Sequence, residues 1–363
     1  MFQPQYTITP KLLDNIKQIE RLIIEFNDFK LSQTVFVKME REARALSAFS
    51  STSIEGNPLL LTDVKRILKS KPEYVRDSEK EVLNYNNALE HLDKYFKKHR
   101  NILLTHDLIC DIQKRITSEL MDKSNCGQYR KIPVFVNDPR IRQTVYWPPD
   151  AKDVMPLMED LITFINSNQH KLDALIRAGI FHKQFVIIHP FMDGNGRTSR
   201  LSTKVLLAAL GLNTFPLFSF ENYYNNNVGK YFEFVGVKGN YYDIKKEIDF
   251  TPWLEYFTDG IIDEMLRVKK QIPQGTTPET KLKPYHEQII KFIKENDYIK
   301  DSDYMKLTKR SRASRTKDFN QLMKLKIIVR KGKARASYYT FPIFSPYYPG
   351  YNFFHGGSAK GQE

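Results

Sequence analysis

Across residues 10–50 apolar side chains recur every three to four positions, as in LLDNIKQIERLIIEF, the spacing that gives a helix one apolar face. The stretch 58–70 opens on Pro58, passes a Thr-Asp cap signal and turns helical. Residues 78–98 and 102–122 predict two more amphipathic helices. Then the pattern changes. Residues 125–150 place Gly127, Asn137-Asp138-Pro139 and Pro148-Pro149 around two short β-prone runs, VFV and TVYW, and predict a β-hairpin turning at 137–139. Helical spacing resumes over 151–167 and 171–188, breaks at HPFMDGNG, returns in RTSRLSTKVLLAALG up to Gly211, and recurs over 219–236 and 251–270.

QIPQGTTPET (271–280) combines Pro, Gly and Thr with little hydrophobicity and reads as a linker. Beyond it, KPYHEQIIKFIKEN, DSDYMKLT and SRASRTKDFNQLMKLK predict three helices, and IIVRKGKARASYYTF predicts two strands around a basic loop. Three helices and a strand pair give the winged-helix order. The expected organisation is a helical region at 1–100, a mainly helical core with a β-hairpin at 101–270, the linker, a winged helix at 281–345 and an aromatic, then Gly-rich tail at 346–363.

Composition narrows the class. With 363 residues, 41% hydrophobic and 13% aromatic, the chain has material for two or three domains with real cores. No window approaches 18 apolar residues, and the N-terminus lacks a basic stretch leading into an apolar run, so the expectation is a cytoplasmic protein with no membrane partner. Cys110 and Cys126 form no metal or redox spacing and read as reduced thiols. The net charge of +14 is uneven, since residues 276–363 hold 18 Lys/Arg against 8 Asp/Glu. That basic segment suits phosphate contacts, with KRSRASRTK at the start of a recognition helix and VRKGKARAS as the wing. DNA is one expected partner; a protein-docking module with a solvated basic face is the other.

Two short stretches carry charges in unfavourable places. In STSIEGN (51–57), Gly56, Asn57 and Pro58 stop a helix whose last turn holds Glu55, a carboxylate at the negative end of the dipole. In HPFMDGNGRTSR (189–200), Gly194-Asn195-Gly196 precedes a helix whose first turn holds Arg197 and Arg200, two cations at the positive end. Backbone amides freed by glycine at a helix start form an anion site, and two guanidinium groups on one face suit a polyphosphate. Asp193 could hold Mg²⁺ beside such phosphates, and His189 stands where a general base would face them. The loop is not a P-loop, because G-x-x-x-x-G-K-[ST] is absent.

At every defined position HPFMDGNGRTSR resembles the Fic family signature H-P-F-x-[D/E]-G-N-G-R-x-x-R. The resemblance implies a mainly α fold, a Fic-type helical core with a β-hairpin flap, and transfer of AMP from ATP to a Tyr, Thr or Ser hydroxyl of a target protein. It implies that His189 deprotonates the acceptor and Asp193 holds Mg²⁺. Gly194, Asn195 and Gly196 would form the anion hole, Arg197 and Arg200 would bind the distal phosphates, and Phe191 would pack inward. The hairpin that begins at GQYR and contains Val134, Phe135 and Val136 resembles the flap that aligns targets by β-augmentation; a plain surface hairpin reads the same residues. FENYYNNNVGKYF resembles the adenine side, with Tyr223 and Asn227 as the matches, although an aromatic helix packed in the core explains it equally well. Ser51-Thr52-Ser53-Ile54-Glu55-Gly56 resembles the inhibitory motif [S/T]-x-x-x-E-[G/N], which implies an inhibitory helix over about 38–56 with Ser51 and Glu55 on one face and Glu55 on Arg200. A winged helix after the core occurs in bacterial members, and a homodimer is common in the family. Other readings of the same fold are a transferase with a different phosphate donor, a remover of AMP, and a DNA-binding regulator whose core senses nucleotide.

Overall fold

The structure is a computed structural model that describes residues 2–29, 31, 33–70, 74–98, 103–138, 143–212, 215–272, 282–325, 327–332 and 337–341. The chain divides into two compact units, residues 1–28 with 42–271 and residues 29–41 with 272–363. The division falls inside one helix, α2 (Gln33–Ile54), whose residues after Arg41 go with the first unit.

The first unit begins with α1 (Pro10–Asp28), then the end of α2, α3 (Leu61–Ser70), α4 (Asp77–Lys98) and α5 (His106–Ile116). Strands β1 (Val136–Asp138) and β2 (Gln143–Trp147) follow, then α6 (Ala151–Ser167), α7 (Ala174–Ile188) and α8 (Asn195–Leu207). Helices α9 (Glu221–Asn226) and α10 (Val228–Val235), strand β3 (Gly239–Asn240), α11 (Tyr241–Ile244) and α12 (Thr251–Gln271) complete it. Residues 1–28 and 42–98 fold within the same unit as the helices that follow them. The stripe Leu12, Ile16, Ile19, Leu22 and Phe26 on α1 is buried, and α1 packs along α12. Each such side chain taken fully out of water is worth about 1.5–3 kcal/mol, which ties the N-terminus into the core.

At the centre lies α7, buried on nearly every face, packed against α6, α8 and α12. A helix buried all round needs neighbours all round. Gly179 on α7 permits a close approach to α12, because a Cβ there would lie 2.6 Å from Leu254 Cδ2. The functional loop runs from the end of α7 to the start of α8, so the most buried pair of helices holds it at both ends.

Four elements differ from the pattern-based expectation. The helix expected over 102–122 ends at Ile116, where the Thr117 hydroxyl donates to Gln113 O at 2.8 Å and Glu119 takes a positive φ of 58°. In the hairpin, Asn137 and Asp138 pair as strand rather than turn, with β1 antiparallel to β2 and a register shift between Val136 and Asn137; the connection, with Pro139, lies outside the described residues. Only Val136 of the VFV run is in β1. The third strand, β3, pairs parallel to β2 and carried no alternation signal. The helix expected over 219–236 breaks at Asn227, whose side chain caps α10 by accepting from Lys230 N at 3.0 Å.

The second unit comprises α13 (Pro284–Asn296), β4 (Tyr298–Ile299), α14 (Asp301–Leu307), α15 (Arg312–Lys324), β5 (Val329–Lys331) and β6 (Tyr338–Thr340). Its sheet is antiparallel in the order β4-β6-β5. Ile289, Ile293, Ile299, Tyr304, Phe319, Leu322 and Phe341 form its core with Val37 from the first turns of α2. The linker from residue 273 and the tail lie outside the described residues.

Candidate active site

The C-terminus of a helix leaves four carbonyls without intrahelical partners. At the end of α7, Phe185 O accepts from the His189 amide at 3.0 Å, Val186 O from His189 Nδ1 at 3.2 Å, and Ile187 O from the Tyr146 hydroxyl of β2 at 2.8 Å. His189 is itself the cap, left-handed at φ 52°, ψ 58°. That region is uncommon for a residue with a Cβ and recurs at functional sites, where the surroundings impose it. A carbonyl only accepts, so the imidazole proton sits on Nδ1 and Nε2 presents its lone pair. Burial is the main reason the His189 pKa falls to about 4; the Arg130 cation lowers it too, while the Val186 carbonyl, Glu55 and Asp193 act the other way. His189 is therefore a neutral acceptor at pH 7.

The loop after it is closed by its own asparagine. Phe191 N donates to Asn195 Oδ1 at 2.9 Å and Asn195 Nδ2 donates to Phe191 O at 2.8 Å. Phe191 is fully buried against Tyr129 and Phe185. Gln113 Nε2 donates to Asp193 O at 3.1 Å, which pins the turn from α5. Gly194 N-caps α8 at φ 79°, and a Cβ there would meet Thr117 Cγ2 at 3.0 Å. Backbone geometry and crowding thus both require glycine.

The two arginines of α8 are buried, and each holds a carboxylate. Arg200 Nη2 donates to Glu55 Oε1 at 2.7 Å and to Ser51 O at 2.9 Å, while its Nε donates to Ser51 Oγ at 2.8 Å. The Arg200 side chain is 1% exposed and that of Glu55 30%. Burial alone would lower the Arg200 pKa; the Glu55 charge more than reverses this, and it is raised. Glu55 stands just past the end of α2, where Gly56 turns the chain at φ 94°. A Cβ on Gly196 would collide with Glu55 Oε1, so the carboxylate fills the space beside the Gly196 Cα. An anion already sits at the helix start that the sequence marks as an anion site, and it belongs to the chain.

Arg197 pairs through Nη1 with Glu81 of α4 and through Nη2 with Asp193 Oδ2 at 2.9 Å. Its Nε is buried with no partner among the described atoms, leaving a donor for one more acceptor. Asp193 is more than half exposed, the one carboxylate of the loop that solvent reaches freely. Among the described residues no cluster of three His, Cys, Asp or Glu side chains stands ready for a metal.

His189, Asp193, Gly194, Gly196, Arg197, Arg200, Ser51 and Glu55 are thus brought to one place. Among the described residues, the recorded contacts of Tyr223 and Asn227 are with other groups. Tyr223 packs on Tyr256 at 5.2 Å between centroids and against Gly260, and the exposed Asn227 serves as a helix cap. One residue along, Tyr224 stacks on Tyr231 and lines a small cavity with His182, Arg200, Thr203, Glu221 and Phe257. His182 Nε2 meets the Tyr231 hydroxyl at 3.0 Å and its Nδ1 meets Thr203 Oγ1 at 3.1 Å, which explains its burial without a metal. Phe135 is exposed on the hairpin, and β1 is the edge of its sheet.

Three comparisons with known proteins bear on the fold and the family resemblance. Residues 103–207 match the Fic/DOC family model. The chain is 27% identical over 226 residues to the protein adenylyltransferase Fic of Culex quinquefasciatus, covering 61% of this chain and 41% of that protein. It is 28% identical over 200 residues to the protein adenylyltransferase fic-1 of Caenorhabditis elegans, covering 54% and 38%. It thus spans about two fifths of the length of these curated relatives. A Fic family protein from Desulfovibrio desulfuricans G20 has the same fold at a TM-score of 0.64, with 21% identity over 94% of this chain and 98% of that one.

Proposed function

We infer from the Fic domain this chain carries that it is a protein adenylyltransferase held inactive by its own Glu55. The observation that carries the reading is the pairing of Glu55 with Arg200 beside Gly196, a carboxylate standing where a distal phosphate of ATP would bind. An ATP bound with its phosphates pushed off that position presents its α-phosphorus out of line, and a misplacement of about 1 Å can cost about 100-fold in rate.

In the active state the acceptor hydroxyl oxygen attacks the α-phosphorus of ATP. The new O–P bond forms as the bond from α-phosphorus to the bridging oxygen of pyrophosphate breaks. The hydroxyl proton passes to His189 Nε2, the nitrogen left free by the Nδ1 contact with Val186 O. The protein contributes mostly position and charge. The amides at the start of α8 and the guanidinium groups of Arg197 and Arg200 face the charge of the departing pyrophosphate, and the unpartnered Arg197 Nε fits a phosphate oxygen. A single exposed carboxylate beside phosphates is the donor set Mg²⁺ favours, and Asp193 would hold it; the ion would neutralise phosphate charge. The exposed edge strand β1, with Val134 and Phe135 before Val136, would pair with an extended target segment.

The second unit has the element order of a winged helix, and we assign it to polyanion contact through Lys309, Arg312 and Lys317, which are exposed on or beside α15. Arg310 and Arg315 are engaged internally, with Asp318 at 2.7 Å and Asp301 at 2.8 Å, so the free basic face is smaller than the sequence count implies. Salt-dependent binding of duplex DNA tests this; a basic face that binds no DNA at low salt overturns it.

The reaction is tested with α- and γ-labelled ATP on the Glu55→Gly chain. Label on protein from the α position alone supports adenylyl transfer; label from the γ position would mean phosphorylation and overturn it.

A further inference from the structure

Helix α7 is among the most buried elements of the first unit, yet a full positive charge sits against its end. Arg130, in the GQYR stretch ahead of the hairpin, is 3% exposed and pairs with no carboxylate among the described residues. Its hydrogen bonds go to backbone carbonyls. Nε donates to His189 O at 2.8 Å, Nη2 to Ile188 O at 3.4 Å and to Pro149 O, and Nη1 to Ile132 O at 3.3 Å. The Arg130 amide donates to Pro190 O at 2.9 Å. Ile188 O is the last of the four orphan carbonyls of α7, and His189 O and Pro190 O are the two that follow it.

The arrangement has a reason beyond filling space. The last carbonyls of a helix carry partial negative charge, and a cation there is favourable where a carboxylate is not. A guanidinium can reach several carbonyls at once because its donors form a rigid planar fork. The left-handed turn at His189 exposes the Ile188, His189 and Pro190 carbonyls to one side, and Arg130 is the group that meets all three. Without it, that conformation would leave buried acceptors unsatisfied and would have no local reason to persist.

We propose that Arg130 is a positioning residue for the catalytic base: by clamping the carbonyls of residues 188–190 it holds His189 in the left-handed conformation that aims Nε2 at the acceptor. The same fork reaches Pro149 O and Ile132 O at the two ends of the hairpin, so the segment proposed to align the target and the base that deprotonates it hang on one side chain. The charge has a second effect. Facing His189 are Arg130 from the hairpin base, Glu55 from the end of α2 and Asp193 from the loop, and of these only Arg130 disfavours the imidazolium. It therefore helps keep His189 in the form that can accept a proton.

This inference rests on the adenylyl-transfer reading, and its test is chosen to separate the two. Arg130→Lys keeps the charge and loses the fork; Arg130→Gln loses both. Each is made in the full chain with and without Glu55→Gly. Labelling from α-labelled ATP in the Glu55→Gly background should show kcat lowered about 10–100-fold in both variants, with KM for ATP within about twofold, since the anion site is untouched. NMR titration of the His189 ring, which needs no activity, should show its pKa near the parent value in Arg130→Lys and raised in Arg130→Gln. A thermal melt of each variant confirms that the folded chain is being measured; should Arg130→Gln not fold, Arg130→Lys decides through the kcat-against-KM split. A kcat within threefold of the parent in a folded Arg130→Lys chain, or an unchanged His189 titration in a folded Arg130→Gln chain, overturns the proposal. No labelling by the Glu55→Gly parent would instead overturn the adenylyl-transfer reading, while the titration would still test Arg130.

Discussion

Glu55 Oε1 stands 2.7 Å from Arg200 Nη2, joining the unfavourable end of one helix to the unfavourable start of another. Each charge is misplaced against its own helix dipole, and each is relieved by the other. That relief is available only while no polyphosphate competes for Arg200.

Removing the carboxylate should therefore be harmful to stability and helpful to nucleotide binding. Glu55→Gly leaves Arg200 buried with Ser51 and Tyr231 but no counter-charge, a loss of about 1–3 kcal/mol after discounting for the partial exposure of Glu55. The variant should melt below the wild type, and saturating Mg·ATP should raise its melting temperature more than it raises that of the wild type. Equal ATP shifts in the two chains would argue against competition for Arg200.

Ser51 contributes two of the contacts on Arg200, one through its hydroxyl and one through its carbonyl. Ser51→Ala deletes only the hydroxyl contact. A charge-assisted hydrogen bond is worth about 1.5–3 kcal/mol, so the plug should weaken without being lost. Steady-state labelling should rise above the wild type and remain below Glu55→Gly.

Glu81 separates holding an arginine from plugging the site. It pairs with Arg197 and accepts from Asn57 Nδ2 at 2.6 Å, but Glu55, not Glu81, stands beside Gly196. Glu81→Gln should lower the melting temperature and leave labelling at the wild-type level. Activation as strong as in Glu55→Gly would show that both carboxylates gate the site.

Two buried histidines make the fold acid-sensitive. His189 is lowered to about 4 and His182 well below its ordinary value, both chiefly by burial. Below pH 6.5 the unfolded chain takes up protons on these groups and the folded chain does not, so stability is full above that pH and declines as pH falls from 6.5 toward 4. Chemical denaturation midpoints between pH 7.5 and 5 should show this decline, and His182→Gln should reduce its slope. For the same reason, labelling by Glu55→Gly should show no loss from His189 protonation between pH 8 and 6.

Much of the site was legible because its parts lie close together in the sequence. HPFMDGNGRTSR carries the proposed base, the turn and the proposed anion site in twelve residues, and the helix break at Gly56 marks Glu55 as misplaced without any knowledge of its partner. Glu81 was not legible, because a carboxylate in EKEVLN looks like any exposed helix charge until tertiary packing sets it on Arg197. Nor was the break at Asn227: the helical period continues smoothly through 219–236, and the break depends on the Asn227 side chain bonding its own backbone, a local alternative to the helix. Strand β3 is two residues long and exists only because β2 lies beside it, so no periodicity could announce it.

One labelling experiment tests the Glu55 plug most directly. Wild type, Glu55→Gly and Glu55→Gly with His189→Ala are each incubated with α-labelled ATP and Mg²⁺, with the chain itself and a cell lysate as acceptors. The expected result is little label from the wild type, about 100-fold more from Glu55→Gly, and loss of that gain when His189 is removed. Protein labelled as strongly by the wild type as by Glu55→Gly would contradict the claim that Glu55 plugs the site.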